Sequence, residues 1–216
     1  MPSVNVDWCS ALLAQNLKPF GLLLAVYDPS SVVSRALAYV TVVPPLSIVF
    51  LLGVLAATRR GRVLQLWVTL IASFALNELL KNVVQQPRPS RSWMHGYGMP
   101  SSHTASVATS FVFVECLLLA GLWSLPPLTR WLWRVLMLAL VLAVVLARAS
   151  VHAHSLEQCF VGAAMGALYA LLSFVLVPAR LVASSERAME RVAARVLGAA
   201  NRSAPSAGER DSVKNE

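Results

Sequence analysis

Three short stretches of this chain carry the residues able to do chemistry. Lys81 and Arg88 stand in KNVVQQPRP, Ser101, Ser102 and His103 in PSSH, and Arg148 and His154 in ARASVHAH. Cations, hydroxyls and imidazoles here lie against long apolar segments, where ionisable groups are costly to hold, so a functional site is the default reading. The residue types point to phosphate. Arg offers two parallel N–H bonds to phosphate oxygens, and Lys acts as a point charge. Serines ahead of an apolar run are placed to start a helix whose free N–H groups bind anions. Two imidazoles permit a two-step phosphoryl transfer. One attacks phosphorus to form a phosphohistidine; the other protonates the leaving oxygen and then activates water. The cations offset charge on the equatorial oxygens. The sequence has no carboxylate-rich cage, so this route calls for no metal and no cofactor. His95 and His152 are loop residues with a weaker claim on a direct role.

The elements that must position these groups are membrane helices. The chain has 216 residues, 57% hydrophobic and only 13% charged, with a mean hydropathy of +0.64. A soluble domain carries about twice that charge. The composition therefore predicts an all-α, polytopic membrane helix bundle in one domain. About 20 apolar residues cross the hydrocarbon core. Segments 36–57, 104–123, 131–149 and 159–178 qualify readily, and 63–84 is the fifth span although its end turns polar at Asn77, Glu78 and Lys81. Pro44 and Pro45 are expected to kink the first span. Residues 12–27, broken by Lys18, Pro19 and Gly21, are expected at the interface rather than across the membrane. No cleaved signal peptide is evident, so the first span serves as its own insertion signal.

Three units follow: an N-terminal segment over 1–35, the membrane domain over 36–178, and a basic amphipathic helix with a disordered tail over 179–216. The helix either rests on the anionic cytosolic leaflet or extends into solvent. The net charge of +8 does not point to nucleic acid, because the basic residues flank apolar runs and act as topology signals. With five spans, 12 of the 18 Lys and Arg fall on the side holding Arg59, Arg130 and the C-terminal tail. That side is then cytosolic, the three motifs meet on the opposite face, and Asn201 in its glycosylation sequon stays unmodified. Cys9, Cys116 and Cys159 show neither metal nor redox spacing, and the two in or beside apolar runs, Cys116 and Cys159, are expected to be packing residues. Glu78 and Lys81, three apart, share a helical face and should pair. Pro87 and Pro89 hold the chain around Arg88 extended.

The run K-x6-R-P (Lys81, Arg88, Pro89), then P-S-x-H (Pro100, Ser101, His103), then R-x5-H (Arg148, His154) resembles the type 2 phosphatidic acid phosphatase superfamily over roughly residues 60–178. The resemblance implies that Lys81, Arg88, Ser101, Ser102 and Arg148 hold the phosphate. It implies His154 as nucleophile and His103 as general acid. Three positions depart from the usual pattern: Ala147 for Ser, Ser102 for Gly, and Gln158 for the Asp that follows the nucleophile. That Asp ordinarily orients the nucleophilic ring. Gln158, four residues after His154, is expected to accept the ring N–H in its place, and Glu157 to assist the same ring. His154 with Gln158, and YGMPSSH over Tyr97–His103, are similar to the branch that hydrolyses dolichyl diphosphate. The resemblance implies a polyprenyl diphosphate substrate, an endoplasmic reticulum membrane location with the site in the lumen, and carrier recycling for protein glycosylation. Undecaprenyl diphosphate or phosphatidate as substrate, an inactive lipid-phosphate-binding scaffold, and a channel or transporter are the alternatives.

Overall fold

A computed structural model of the chain describes residues 18–20 and 25–203, and the side chains of residues 26–196. Among the described residues, five helices are long and apolar enough to cross a membrane: α1 (Val32–Thr58), α2 (Gly61–Val84), α3 (Ser102–Leu119), α4 (Pro127–Ser150) and α5 (Leu156–Leu176). They are the five spans expected from hydropathy, with ends displaced by about one turn at most. α1 continues as one helix through Pro44 and Pro45. Two elements flank the bundle. A short antiparallel hairpin, β1 (Lys18–Phe20) with β2 (Ala25–Tyr27), precedes it, and α6 (Ala179–Ser203) follows. The interfacial segment expected over 12–27 lies partly outside the described residues, as do Cys9 and the tail beyond residue 203. Within it, Val26 is buried against Trp93, Val151 and Ala153.

Helix ends follow local chemistry. Ser31 caps α1 by accepting from the Ser34 N–H at 3.1 Å, and Arg59, in the left-handed region, closes it. Gly121 takes the same region (φ 68°) after α3, where a side chain would be strained. Ser155 and Gln158 form a capping box at the start of α5. Because successive spans reverse direction, the 85–101 loop, the 151–155 turn and the hairpin share one end of the bundle. The two tight turns and α6 share the other.

α3 is the most buried span, and its close partner is α5. Gly162 and Gly166, one turn apart on α5, let the two backbones touch. A Cβ on Gly166 would lie 2.8 Å from the Ala105 carbonyl carbon and Cα and closer still to the carbonyl oxygen, and one on Gly162 would lie 3.0 Å from the Ser101 nitrogen. Thr104 Oγ1 donates to the Cys159 carbonyl (2.9 Å) and Thr109 Oγ1 to that of Gly166 (3.0 Å). Lipid tails are as apolar as leucine, so helices in a bilayer associate through such close packing and interhelical bonds. The contact locks the start of α3, with His103, to the start of α5, just after His154.

Below this junction Leu66 and Leu70 of α2, Phe113 and Leu117 of α3 and Ala170 of α5 form the core. Phe113 meets Phe174 edge to face at 6.0 Å. α2 also carries a buried polar stripe, Gln65, Thr69, Ser73 and Asn77, at four-residue spacing. Gln65 Nε2 donates to the Ser173 carbonyl (2.7 Å), the Thr69 and Ser173 hydroxyls bond at 2.6 Å, and Tyr169 donates to Asn77 Oδ1 (3.1 Å). The next residue in that register is Lys81. At the far end α6 docks on the start of α2, where the Gly61 N–H donates to Glu186 Oε2 at 3.1 Å. A carboxylate there suits the positive end of a helix.

Candidate active site

Arg88 reaches the site from a strip clamped on both sides. α2 ends at Gln85 in the left-handed region (φ 53°), and Pro87 then pairs with Tyr97 in an isolated antiparallel bridge. Gly98 N–H donates to the Gln86 carbonyl (2.9 Å), and Gln158 Nε2 donates to Gln86 Oε1 (2.9 Å) and the Pro87 carbonyl (2.8 Å). So held, Arg88 Nη1 donates to the Ala153 carbonyl at 2.6 Å and stands 3.3 Å from His154 Nε2.

His154 is nearly fully buried in the turn between α4 and α5. The amides of Ala153 and His154 both donate to the Arg148 carbonyl (3.1 and 3.2 Å), and His152 adopts φ 54° to reverse the chain. His154 Nδ1 lies 2.9 Å from the Gly98 carbonyl. A carbonyl only accepts, so Nδ1 carries the hydrogen and the Nε2 lone pair faces Arg88. Burial, then the charges of Arg148 and Arg88, push the ring pKa down to about 2, against the opposing Gly98 bond. At neutral pH the ring is therefore uncharged, as a nucleophile must be. Burial also lowers Arg88 from its usual value, with Glu78 opposing.

The orienting group is thus not the one expected. Gln158 does not accept the His154 ring N–H; the Gly98 carbonyl does. The reason is local. Gln158 is the third residue of α5, and in a capping box that side chain turns back to the helix start. Its Oε1 accepts from the Ser155 N–H (3.2 Å), which aims its NH2 at residues 86 and 87. Glu157 likewise does not assist the ring: it is exposed, and its Oε2 accepts from Gln86 Nε2 at 3.2 Å.

The PSSH residues open α3. Ser101 is fully buried at the N-cap position, its amide donating to the Gln158 carbonyl (3.1 Å) and its hydroxyl beside the Cys159 thiol. No side chain caps this helix, so its first amides remain free to meet an anion. Ser102 Oγ reaches Glu78 Oε1 at 3.5 Å, and the same oxygen pairs with Lys81, as the spacing predicted. His103, half-buried, feels the charges of Arg148, Lys81 and Arg88, and His103 in turn acts on His154. Arg148 is buried with Nη2 3.3 Å from Met94 Sδ, a weak acceptor. Among the described residues the ion pairs are Lys81–Glu78 and Arg134–Glu115, and the Nε atoms of Arg88 and Arg148 find no acceptor. A buried and a half-buried guanidinium group, neither ion-paired to a carboxylate, suit a site built for an anionic ligand.

All the residues singled out from sequence (Lys81, Arg88, Ser101, Ser102, His103, Arg148, His154 and Gln158) gather at this end of the bundle. His95 is exposed, and His152 serves the turn through its backbone. Sequence reasoning missed Gly98, Gln86, Met94 and the glycines of α5. The four-residue spacing of Gly162 and Gly166 was a readable signal for close helix packing; the carbonyl role of Gly98 had none.

The chain is similar to several known proteins. A match to the PAP2 superfamily covers residues 62–181, more than half the chain. The chain is 27% identical to the dolichyldiphosphatase of Saccharomyces cerevisiae, over 75% of this chain and 71% of that protein. It is 28% identical to lipid phosphate phosphatase gamma of Arabidopsis thaliana, over 73% and 72%. A putative dolichyldiphosphatase of Neurospora crassa is 31% identical over 50% of this chain and 40% of its own length. Among solved structures, a transmembrane PAP2-type phosphatidylglycerolphosphate phosphatase from Bacillus subtilis shares the fold, with a TM-score of 0.53 and 19% identity, covering 65% of this chain and 74% of the other. The chain belongs to the PAP2 superfamily, as a multi-pass membrane lipid phosphatase of that type.

Proposed function

We propose that the protein hydrolyses dolichyl diphosphate to dolichyl phosphate and inorganic phosphate through a phosphohistidine on His154. The observation that carries the mechanism is the bond between His154 Nδ1 and the Gly98 carbonyl, which leaves the Nε2 lone pair 3.3 Å from Arg88 Nη1. A terminal phosphate gripped by Arg88, Arg148, Lys81 and the first amides of α3 puts phosphorus in front of that lone pair. Nε2 forms the N–P bond as the bond from phosphorus to the bridging oxygen breaks. His103 gives its proton to that oxygen, and dolichyl phosphate departs. Water then attacks phosphorus, His103 takes the water proton, and the N–P bond breaks to release phosphate. The proposed steps use protein groups and water alone, so this route calls for no metal. Ser102 acts mainly through the backbone of the helix start, because its hydroxyl is turned to Glu78, whereas the buried Ser101 hydroxyl has no hydrogen-bond partner.

Dolichyl diphosphate is favoured over other lipid phosphates by the yeast and Neurospora relatives and by His154 with Gln158 and the YGMPSSH stretch. The distribution of Lys and Arg then argues for a lumenal site in the endoplasmic reticulum membrane and a cytosolic C-terminus. The carrier lipid freed by oligosaccharide transfer would be recycled there. Gln158 in place of the usual Asp is what favours an inactive scaffold, and that support weakens when the Gly98 carbonyl orients the His154 ring. The test is phosphate release by the purified protein in detergent from dolichyl diphosphate, undecaprenyl diphosphate and phosphatidate, with His154→Ala alongside. The reading expects release from dolichyl diphosphate to be fastest and to vanish in His154→Ala. Release that survives the substitution overturns the mechanism; a clear preference for phosphatidate overturns the substrate.

A further inference from the structure

A groove open to lipid runs down the bundle between α2 and α5. Its upper part, about 310 Å³, is lined by Ala72, Leu76, Tyr169 and Leu172 among others. Its lower part, about 230 Å³, is lined by Leu64 and by Leu181, Val182 and Ser185 of α6. The two parts share Val68, Thr69, Ser173 and Val177 in their walls, so they adjoin end to end along α2 and together make up the channel considered below. Its polar wall residues are turned inward. Thr69 and Ser173 bond each other, and Ser73 Oγ donates to the Leu70 carbonyl (2.8 Å). What faces the channel is carbon.

Position and length identify an occupant. The channel starts at Leu76, five residues before Lys81 on α2, and ends at Gly61, the first residue of that helix. At 1.5 Å per residue it begins about 7 Å below the phosphate site and continues for about 22 Å. The hydrocarbon core is about 30 Å thick, so the channel passes the midplane into the far leaflet. An acyl chain confined to one leaflet leaves its lower part unfilled, whereas a long isoprenoid reaches the α6 floor. A larger apolar cavity of about 560 Å³, between Leu52–Arg59 of α1 and Met189–Val196 of α6, shares no lining residue with the channel and lies at the end of the bundle away from the site.

We propose that the α2/α5 channel holds the isoprenoid chain of the substrate, and that its depth selects chains longer than one leaflet, with α6 as its floor. This rests on the lipid diphosphate reading above. Moving a chain from lipid into the channel gains no hydrophobic energy, because lipid tails are equally apolar. The channel acts by orienting the substrate, so the effect belongs in kcat/KM for long chains.

Val68 and Ala72 are on the lipid-open wall, where a larger side chain fills the channel without entering the core. Val68→Phe and Ala72→Phe are assayed with a long polyprenyl diphosphate and with farnesyl diphosphate at equal mole fraction in micelles. The expected result is a fall of about fivefold or more in kcat/KM for the long chain and less than about twofold for the short one. Equal falls for both, or no fall for the long chain, overturn the proposal. A polyprenyl phosphate with a diazirine on its terminal isoprene supplies a readout independent of turnover. It should label residues around Leu181 and Val182; labelling confined to α1 or α4 overturns the tail site. Labelling near Val182 with no phosphate release from any lipid diphosphate sinks the phosphatase reading and leaves the tail site standing.

Discussion

Gly98→Ala tests the way His154 is oriented. Gly98 has no unusual φ, so the substitution acts through space alone. An added Cβ would lie 2.6 Å from both Cδ and Nε2 of Gln158, and closer still to Oε1, whereas ordinary contact begins near 3.4 Å. Gln158 cannot simply swing aside, since its amide is bonded to Ser155, Gln86 and Pro87. The Gly98 backbone must therefore retreat by about 1 Å, taking with it the carbonyl that accepts from His154 Nδ1. A displacement of that size in a reacting group costs on the order of 100-fold in rate. Phosphate release from a lipid diphosphate in detergent should fall by about that factor, mainly in kcat, with the thermal transition retained. Gln158→Ala in the same background removes the obstructing amide and should restore part of the loss. Activity within threefold of wild type in Gly98→Ala, or a double variant worse than the two single losses combined, would refute the reasoning.

Other perturbations separate the remaining roles. Gln158→Ala removes two bonds to the Arg88 strip, each worth about 1 kcal/mol net, so kcat/KM should fall roughly 30-fold through KM; a collapse of kcat at constant KM would return Gln158 to the ring. Gly166→Leu drives a side chain into the Ala105 backbone and should lower the detergent melting temperature by several degrees, at a cost of about 1–3 kcal/mol. The pH dependence of stability has a definite sign. His154 binds its proton with a pKa of about 2 in the folded chain and about 6.5 when unfolded, so the unfolded state takes up more protons between these values. Its contribution is complete above pH 6.5 and is lost as pH falls below it, by at most about 1.4 kcal/mol per pH unit. His154→Gln should flatten that slope between pH 6.5 and 5 in thermal unfolding, and an unchanged slope would show that the ring is not buried neutral.

Much of this was readable because the strongest signals are local. Apolar runs long enough to span gave five helices within a turn of their ends, even 63–84 with its polar finish, because Asn77 and Lys81 face the bundle as costly residues in membranes do. The same spacing paired Lys81 with Glu78. Composition and hydropathy also carried the all-α class. What stayed hidden depends on tertiary neighbours. A helical period puts Gln158 on the His154 side of α5, but the capping box claims its amide first. The carbonyl that replaces it belongs to Gly98, 56 residues away along the chain. The 18–27 hairpin was hidden for a similar reason: its strands are three residues each and Val26 is seated by residues from two distant loops.

The account turns on His154 as the group that bonds to phosphorus. Rapid alkaline quenching of the enzyme with a lipid diphosphate radiolabelled in its terminal phosphate measures this directly, because phosphohistidine survives base. The prediction is one label on the peptide containing His154, formed before phosphate release and absent in His154→Gln. Label on His103 instead, or turnover without label in His154→Gln, would contradict the central claim.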